Sequence, residues 1–249
     1  MTRVTEERPW VAGRGNPFAT RYTAPGRLPP LTGDGGPLDV AAIVAAIPRR
    51  GAAAIVGPHG SGKTTLLVTL VSRLQDAGRP VALVRSTMPA ALRTLVRTTL
   101  RMPAGGTVAV DSWERLGPLA RGVLRSLATW RGCGLLVTAH RAGGLPVLAT
   151  CRTTPRLLRA VVDLLPDAAR QVSATEIAGA FSRHAGNLRD ALAALYDRFE
   201  ERRIPSAPDS TCSGGTGGTR RAGRNADTME IHESEQAFSD PGAPRGNLG

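Results

Sequence analysis

The chain has 249 residues, 41% of them hydrophobic but only 4% aromatic, so leucine, valine and alanine must fill the interior of one core domain with a small appendage. Cys133, Cys151 and Cys212 include no C-x-x-C pair, which argues against a disulfide framework and a zinc site and suits a reducing cytoplasm. The formal charge is +12, and residues 205–249 hold four Arg against six Asp or Glu, so the positive excess sits in residues 1–204. That excess is either a solvated arginine-rich surface or a field that attracts nucleotides, nucleic acid or an acidic protein partner.

Residues 1–37, rich in Pro, Gly and Arg, read as an irregular lead-in. Met1 to Trp10 has no apolar h-region, so no signal peptide is expected, and no apolar run approaches the ~18 residues of a membrane span. In Asn16 to Tyr22, Phe18 or Tyr22 either stacks on a base or pins the segment to the core. Asp39 to Ile47 reads as a short helix stopped by Pro48. From residue 51 strands and helices alternate. The strands are Ala52–Val56, Val81–Arg85, Thr107–Asp111, Gly134–Thr138 and Pro146–Cys151. The helices run Lys63–Ala77 with Gly78 as its stop, about Pro89 to Arg101, about Leu116 to Trp130, and from the Thr154-Pro155 cap to Leu165. This order predicts an α/β fold: a parallel sheet of about five strands flanked by helices, with ligands at the carboxyl ends of the strands.

After Pro166 the pattern becomes helical. Ser173 to Glu176 is a capping box, Gly186 and Asn187 break and recap, and Leu188, Leu192, Leu195, Tyr196 and Phe199 stripe a last helix ending near Arg203. The expected organisation is a nucleotide-binding core over 38–166, a small helical lid over 167–204, and a disordered tail over 205–249.

The most specific signal is Gly57-Pro58-His59-Gly60-Ser61-Gly62-Lys63-Thr64, a G-x-x-x-x-G-K-[ST] match between a strand and a helix that continues through Thr65. A phosphate chain needs donors around it, and glycines let backbone N–H groups turn inward with no side chain in the way. Lys63 adds a charge for the β and γ phosphates, Thr64 a hydroxyl for magnesium, and the helix N-terminus a favourable dipole. Of the 32 basic residues only Lys63 is a lysine, where a compact ammonium is required and a planar guanidinium does not fit.

Asp111 ends a strand of four apolar β-formers, a position from which its carboxylate holds magnesium through water while Thr64 binds the ion directly. Glu114, in the turn that follows, is either the base that deprotonates water or an exposed helix-start glutamate. Thr138 and His140 end the next strand, where a polar group either reaches the γ phosphate or caps a loop.

Residues 51–204 resemble P-loop ATPases of the AAA+ type, and more closely an uncharacterised group of bacterial AAA-like ATPases. That group shares the stretches standing here as Asn16 to Arg21, Gly57 to Lys63, Val110 to Leu116, Leu135 to His140 and Gly186 to Arg189. The resemblance implies ATP and magnesium as ligands, Thr138 in the place called sensor 1, Arg189 in that of the sensor 2 arginine on the lid, and copies able to assemble. The chain departs from that family in having Ser112 where many members place a glutamate after the aspartate, and in a shorter lid. The expected function is an ATP-binding protein with magnesium-dependent hydrolysis that drives or switches a conformational change. The alternatives are a nucleotide-sensing adaptor with little hydrolysis and a small-molecule kinase. No N-K-x-D motif for guanine occurs.

Overall fold

The structure, a computed structural model, describes residues 15–86 and 90–203. The tail read as disordered, 205–249, lies outside these residues. So do the first 14 residues of the lead-in and the expected helix start at Pro89.

The described part of the lead-in is mostly irregular. It contains one short helix that the sequence does not signal, α1 (Thr20–Thr23), which has no side-chain cap. Next, α2 (Val40–Ala46) begins where Asp39 accepts a hydrogen bond from the Ala42 N–H at 2.9 Å, satisfying one donor of the first turn. The alternating region follows as β1 (Gly51–Val56), α3 (Lys63–Asp76), β2 (Val81–Arg85), α4 (Ala91–Arg101) and β3 (Thr107–Asp111). A 3-10 turn, Trp113–Arg115, precedes α5 (Pro118–Arg131), so that helix starts two residues later than its apolar pattern suggests, with Pro118 at its first turn. Then come β4 (Gly134–Ala139), β5 (Val147–Thr150), α6 (Pro155–Asp163), α7 (Ala168–Gln171), α8 (Ala174–Arg183) and α9 (Leu188–Arg203).

Among the described residues the strands form one parallel sheet in the order β2-β3-β4-β1-β5. Alternate residues face opposite sides. Ala54, Val108, Val110, Leu135 and Val137 meet Leu95, Leu124 and Ala128 of α4 and α5. Ile55, Ala109 and Leu136 meet Leu66, Leu67, Leu70 and Leu74 of α3. Leu67 and Leu70 are fully buried, and truncating either to alanine costs about 2–5 kcal/mol. α3 stops at Gly78, whose φ of +70° lets its N–H reach the Gln75 carbonyl and that of Arg79 reach Leu74.

A third cluster joins α6, α8 and α9 to the lead-in through Leu158, Val162, Ile177, Leu188, Leu195 and Phe18. Phe18 is 4% exposed within it, and Asn16 Nδ2 donates to the Tyr196 carbonyl on α9 at 3.0 Å. Of the two readings of Phe18, burial rather than base stacking is therefore observed. Tyr22 packs against the same cluster, with the Arg21 guanidinium 4.8 Å from its ring centre.

The topology matters for the site because β4 lies between β1 and β3. The carboxyl ends of these three strands, carrying the glycine-rich loop, Thr138 and Asp111, therefore stand side by side at one edge of the sheet.

Candidate nucleotide site

The loop leaving β1 is anchored where Gly57 N–H meets the Ala139 carbonyl at 3.3 Å. Gly60 and Gly62 take φ values of +64° and +87°, in the left-handed region, which turns successive N–H groups to one side. Ser61 is buried and donates to the Pro58 carbonyl at 2.8 Å. Lys63 Nζ donates to two carbonyls of the loop, Gly57 at 2.8 Å and Pro58 at 2.6 Å, so the ammonium is held over the cradle. Burial lowers its pKa, while the carboxylates of Glu114 and Asp111 act to raise it. Thr65 continues the helix, its carbonyl accepting from the Thr69 hydroxyl.

Thr64 Oγ1 lies 3.2 and 3.1 Å from Oδ1 and Oδ2 of Asp111. Thr138, 1% exposed, donates to Asp111 Oδ1 at 2.6 Å and accepts the Ser112 N–H at 2.8 Å. Its proton is thus directed at the aspartate, not outward at the loop. Ser112 has φ +63°, a strained value for a residue other than glycine, and the bond to Thr138 helps to hold it there.

Glu114, on the 3-10 turn, points Oε1 at His140 Nε2, 3.0 Å away, while its Oε2 is buried without a hydrogen-bond partner. His140 in turn packs against His59 of the loop, ring centres 3.9 Å apart. The sequence offers Glu114 and His140 as separate candidates, with no signal that they touch. For His59 it carries no signal beyond a place in the loop.

The fourth contributor is the start of α9. Asn187 caps it, Oδ1 accepting from the Arg189 N–H at 3.1 Å, and rests on the apex of the glycine-rich loop. A Cβ added at Gly60 would lie 1.7 Å from Asn187 Oδ1 and 3.2 Å from Arg189 N. Arg189 is close enough to Lys63 to add to the lowering of its pKa. Cys151, just past β5, packs behind Gly57, and burial pushes its thiol up to about 11 against the pull of Lys63.

Lys63, Thr64, Asp111, Glu114 and Thr138 lie around the Gly57–Thr65 loop, with Arg189 at the start of α9 beside Gly60, whereas Phe18 and Tyr22 pack in the α6–α8–α9 cluster. The donor set suits magnesium triphosphate: magnesium takes one or two protein oxygens plus phosphates and waters, not an all-protein cage. Among the described residues no group of three or more His, Cys, Asp or Glu is placed to hold a metal; Thr64 and Asp111 bring two side chains with oxygen donors together beside the loop, which could hold such an ion.

No family model matches the chain, and no curated protein does. Solved structures do. Two point variants of Thermotoga maritima RuvB superpose with TM-scores of 0.51 and 0.50 at 18% and 17% identity, over 67% of this chain and 61% and 60% of theirs. RuvB of that organism is a Holliday junction branch migration motor. This chain has the P-loop NTPase fold. The replication initiator DnaA bound to AMPPCP and single-stranded DNA matches at TM-score 0.47 and 9% identity, over 66% of this chain and 63% of that one. The chain spans about 60% of the length of the RuvB chains it matches. None of its described helices is long and apolar enough to cross a membrane.

Proposed function

We propose that the protein binds ATP with magnesium at the Gly57–Thr65 loop, hydrolyses it, and couples the state of the nucleotide to the seating of a lid formed by α7–α9. The observation that carries this reading is the meeting of Thr64 and Asp111 at 3.1 Å beside a loop whose lysine is the chain's only one. Magnesium, when bound, would supply positive charge against the charge that develops on the phosphates. Thr64 and Asp111 would hold it, and Thr138 fixes the rotamer of Asp111 through the 2.6 Å bond. Lys63 leaves its two loop carbonyls for the phosphates.

Glu114 takes a proton from the attacking water as the new bond to the γ phosphorus forms and the bond to the bridging oxygen breaks, releasing ADP. Two features support this role. His140 holds one carboxylate oxygen, and the other is buried and unpartnered, an arrangement that calls for a functional explanation. Arg189, at the start of α9 beside the loop, senses whether the terminal phosphate is present. The protein acts in the cytoplasm on this reading.

Phosphate release measured for the parent, Glu114→Gln and Lys63→Ala tests the proposal. Glu114→Gln should lose about 10²–10⁴-fold in rate with ATP binding retained. Equal, near-zero rates in all three would instead favour a nucleotide-sensing adaptor. Turnover that appears only with a phosphate acceptor would favour a kinase.

A further inference from the structure

Away from the Gly57–Thr65 loop, α4 and α5 lie side by side over one face of the sheet, and their outward sides carry arginines interspersed with exposed Leu92, Leu100, Leu119 and Val123. The sequences ALRTLVRTTLR and PLARGVLRSLATWR contain arginines and no carboxylate. Two of these arginines are tied to backbone: Arg121 donates to the Glu114 carbonyl at 2.7 Å, and Arg131 to that of Met102 at 3.3 Å. Arg93, Arg97, Arg101 and Arg125 are exposed, and none forms an ion pair among the described residues. Arg93, Arg97 and Arg101 are four residues apart, so they climb α4 in steps of about 6 Å as a ladder of cations.

The ladder leads to an aromatic ring. The Arg131–Met102 bond joins the last turn of α5 to the end of α4, and the same Arg131 guanidinium links Trp130 to that junction. Trp130 is 73% exposed, whereas Trp113 is 5% exposed in the core. Arg131 stands over its ring, 5.7 Å from the centre. Gly122, Arg125, Ser126, Thr129 and Trp130 line a shallow hollow of ≈ 630 Å³. An open ring beside a hollow, at the end of a line of unneutralised guanidiniums, matches stacking platforms that take unpaired bases while cations track the phosphates. A duplex keeps its bases stacked and offers this ring no face. An acidic protein would satisfy the arginines and leave the ring and hollow without a specific role.

We propose that the α4–α5 face binds single-stranded nucleic acid, with Arg93, Arg97 and Arg101 along the phosphates and Trp130 stacked on a base. This surface lies outside the nucleotide site, so it stands or falls separately from ATP hydrolysis. The test uses the full chain and a fluorescein-labelled mixed-sequence strand of about 20 nucleotides, longer than one such site. DNA and RNA strands serve as separate arms. Anisotropy at low salt should show saturable binding in at least one arm, with quenching of tryptophan emission.

Trp130→Ala should weaken binding roughly tenfold. Trp130→Phe should restore most of the affinity without the quenching. Changing all three ladder arginines to glutamine should flatten the log–log salt dependence by about 2, since each phosphate left unneutralised lowers the slope by about 0.7. Circular dichroism melting verifies that each variant is folded. The proposal is overturned if neither strand binds, if Trp130→Ala binds as the parent does, or if a duplex binds as tightly as the single strand. It is also overturned if polyglutamate of matched charge displaces the strand as well as unlabelled strand does.

Discussion

Thr64 Oγ1 and Asp111 Oδ2 are 3.1 Å apart, although 47 positions of sequence and two intervening strand–helix turns separate them. Asp111 can accept from Thr64 only because the carboxyl ends of β1, β4 and β3 are adjacent. If the pair exists to hold magnesium, Asp111→Asn should lower the affinity for magnesium-ATP by roughly 10–100-fold, the range seen when a metal site loses a supporting oxygen. It should leave metal-free ATP affinity nearly unchanged. Titration with and without EDTA separates the two, and an equal loss in both conditions would remove magnesium from the role of Asp111.

Thr138 carries a structural load that can be read without any nucleotide. In Thr138→Val the Ser112 N–H loses its acceptor and Asp111 loses its shortest hydrogen bond. A partly buried donor left unpaired costs about 1–3 kcal/mol. Urea denaturation should show a lower midpoint at unchanged slope, the product of shift and slope giving that loss, while Thr138→Ser should recover most of it.

The seat of α9 on the loop depends on one missing side chain. Gly60→Ala places a methyl group where Asn187 Oδ1 now sits, at a φ of +64° that itself costs about 1–2 kcal/mol for an alanine. Hydrogen exchange should reveal faster exchange over α8 and α9 in this variant and little change in β3 and β4. Adding Asn187→Gly to Gly60→Ala should slow the exchange again. Unchanged exchange in Gly60→Ala would mean that this packing does not hold the helices down.

Cys151 reports the burial behind the loop. Its thiol titrates near 11, above the ordinary value of about 8.5, because burial disfavours the thiolate. The neutral thiol is thus favoured in the fold. Its contribution to stability is complete below the unfolded value and is lost as pH rises through the folded one. Iodoacetamide labelling of the Cys151 peptide, followed by mass spectrometry, should still be accelerating between about pH 9 and 11 in the native protein. In urea it should level off near pH 9.

The elements legible in the sequence are those whose cause is local. β3 can be read end to end because Gly105-Gly106 precedes the run Thr107-Val108-Ala109-Val110 and Asp111 follows it. α3 is bracketed by the glycine-rich loop and Gly78, and α8 by the Ser173–Glu176 box. The 3-10 turn Trp113–Arg115 is not legible, because it follows from the strained φ of Ser112, which a hydrogen bond from another strand maintains. α7 is too short to show a period, and the sheet order follows from pairing between distant segments. In the site, loop, lysine, threonine and aspartate are readable as a motif, since their chemistry fixes their spacing. The contacts of Glu114 with His140, of His140 with His59 and of Asn187 with Gly60 each join separate loops, and no local pattern encodes them.

Equilibrium binding of a fluorescent ATP analogue in the presence of magnesium, compared between the parent chain and Lys63→Ala, tests the nucleotide site most directly. The parent should bind saturably and be displaced by unlabelled ATP, and Lys63→Ala should lose that binding. Absence of binding to the parent, or equal binding by the variant, would contradict the assignment of the Gly57–Thr65 loop as the triphosphate cradle.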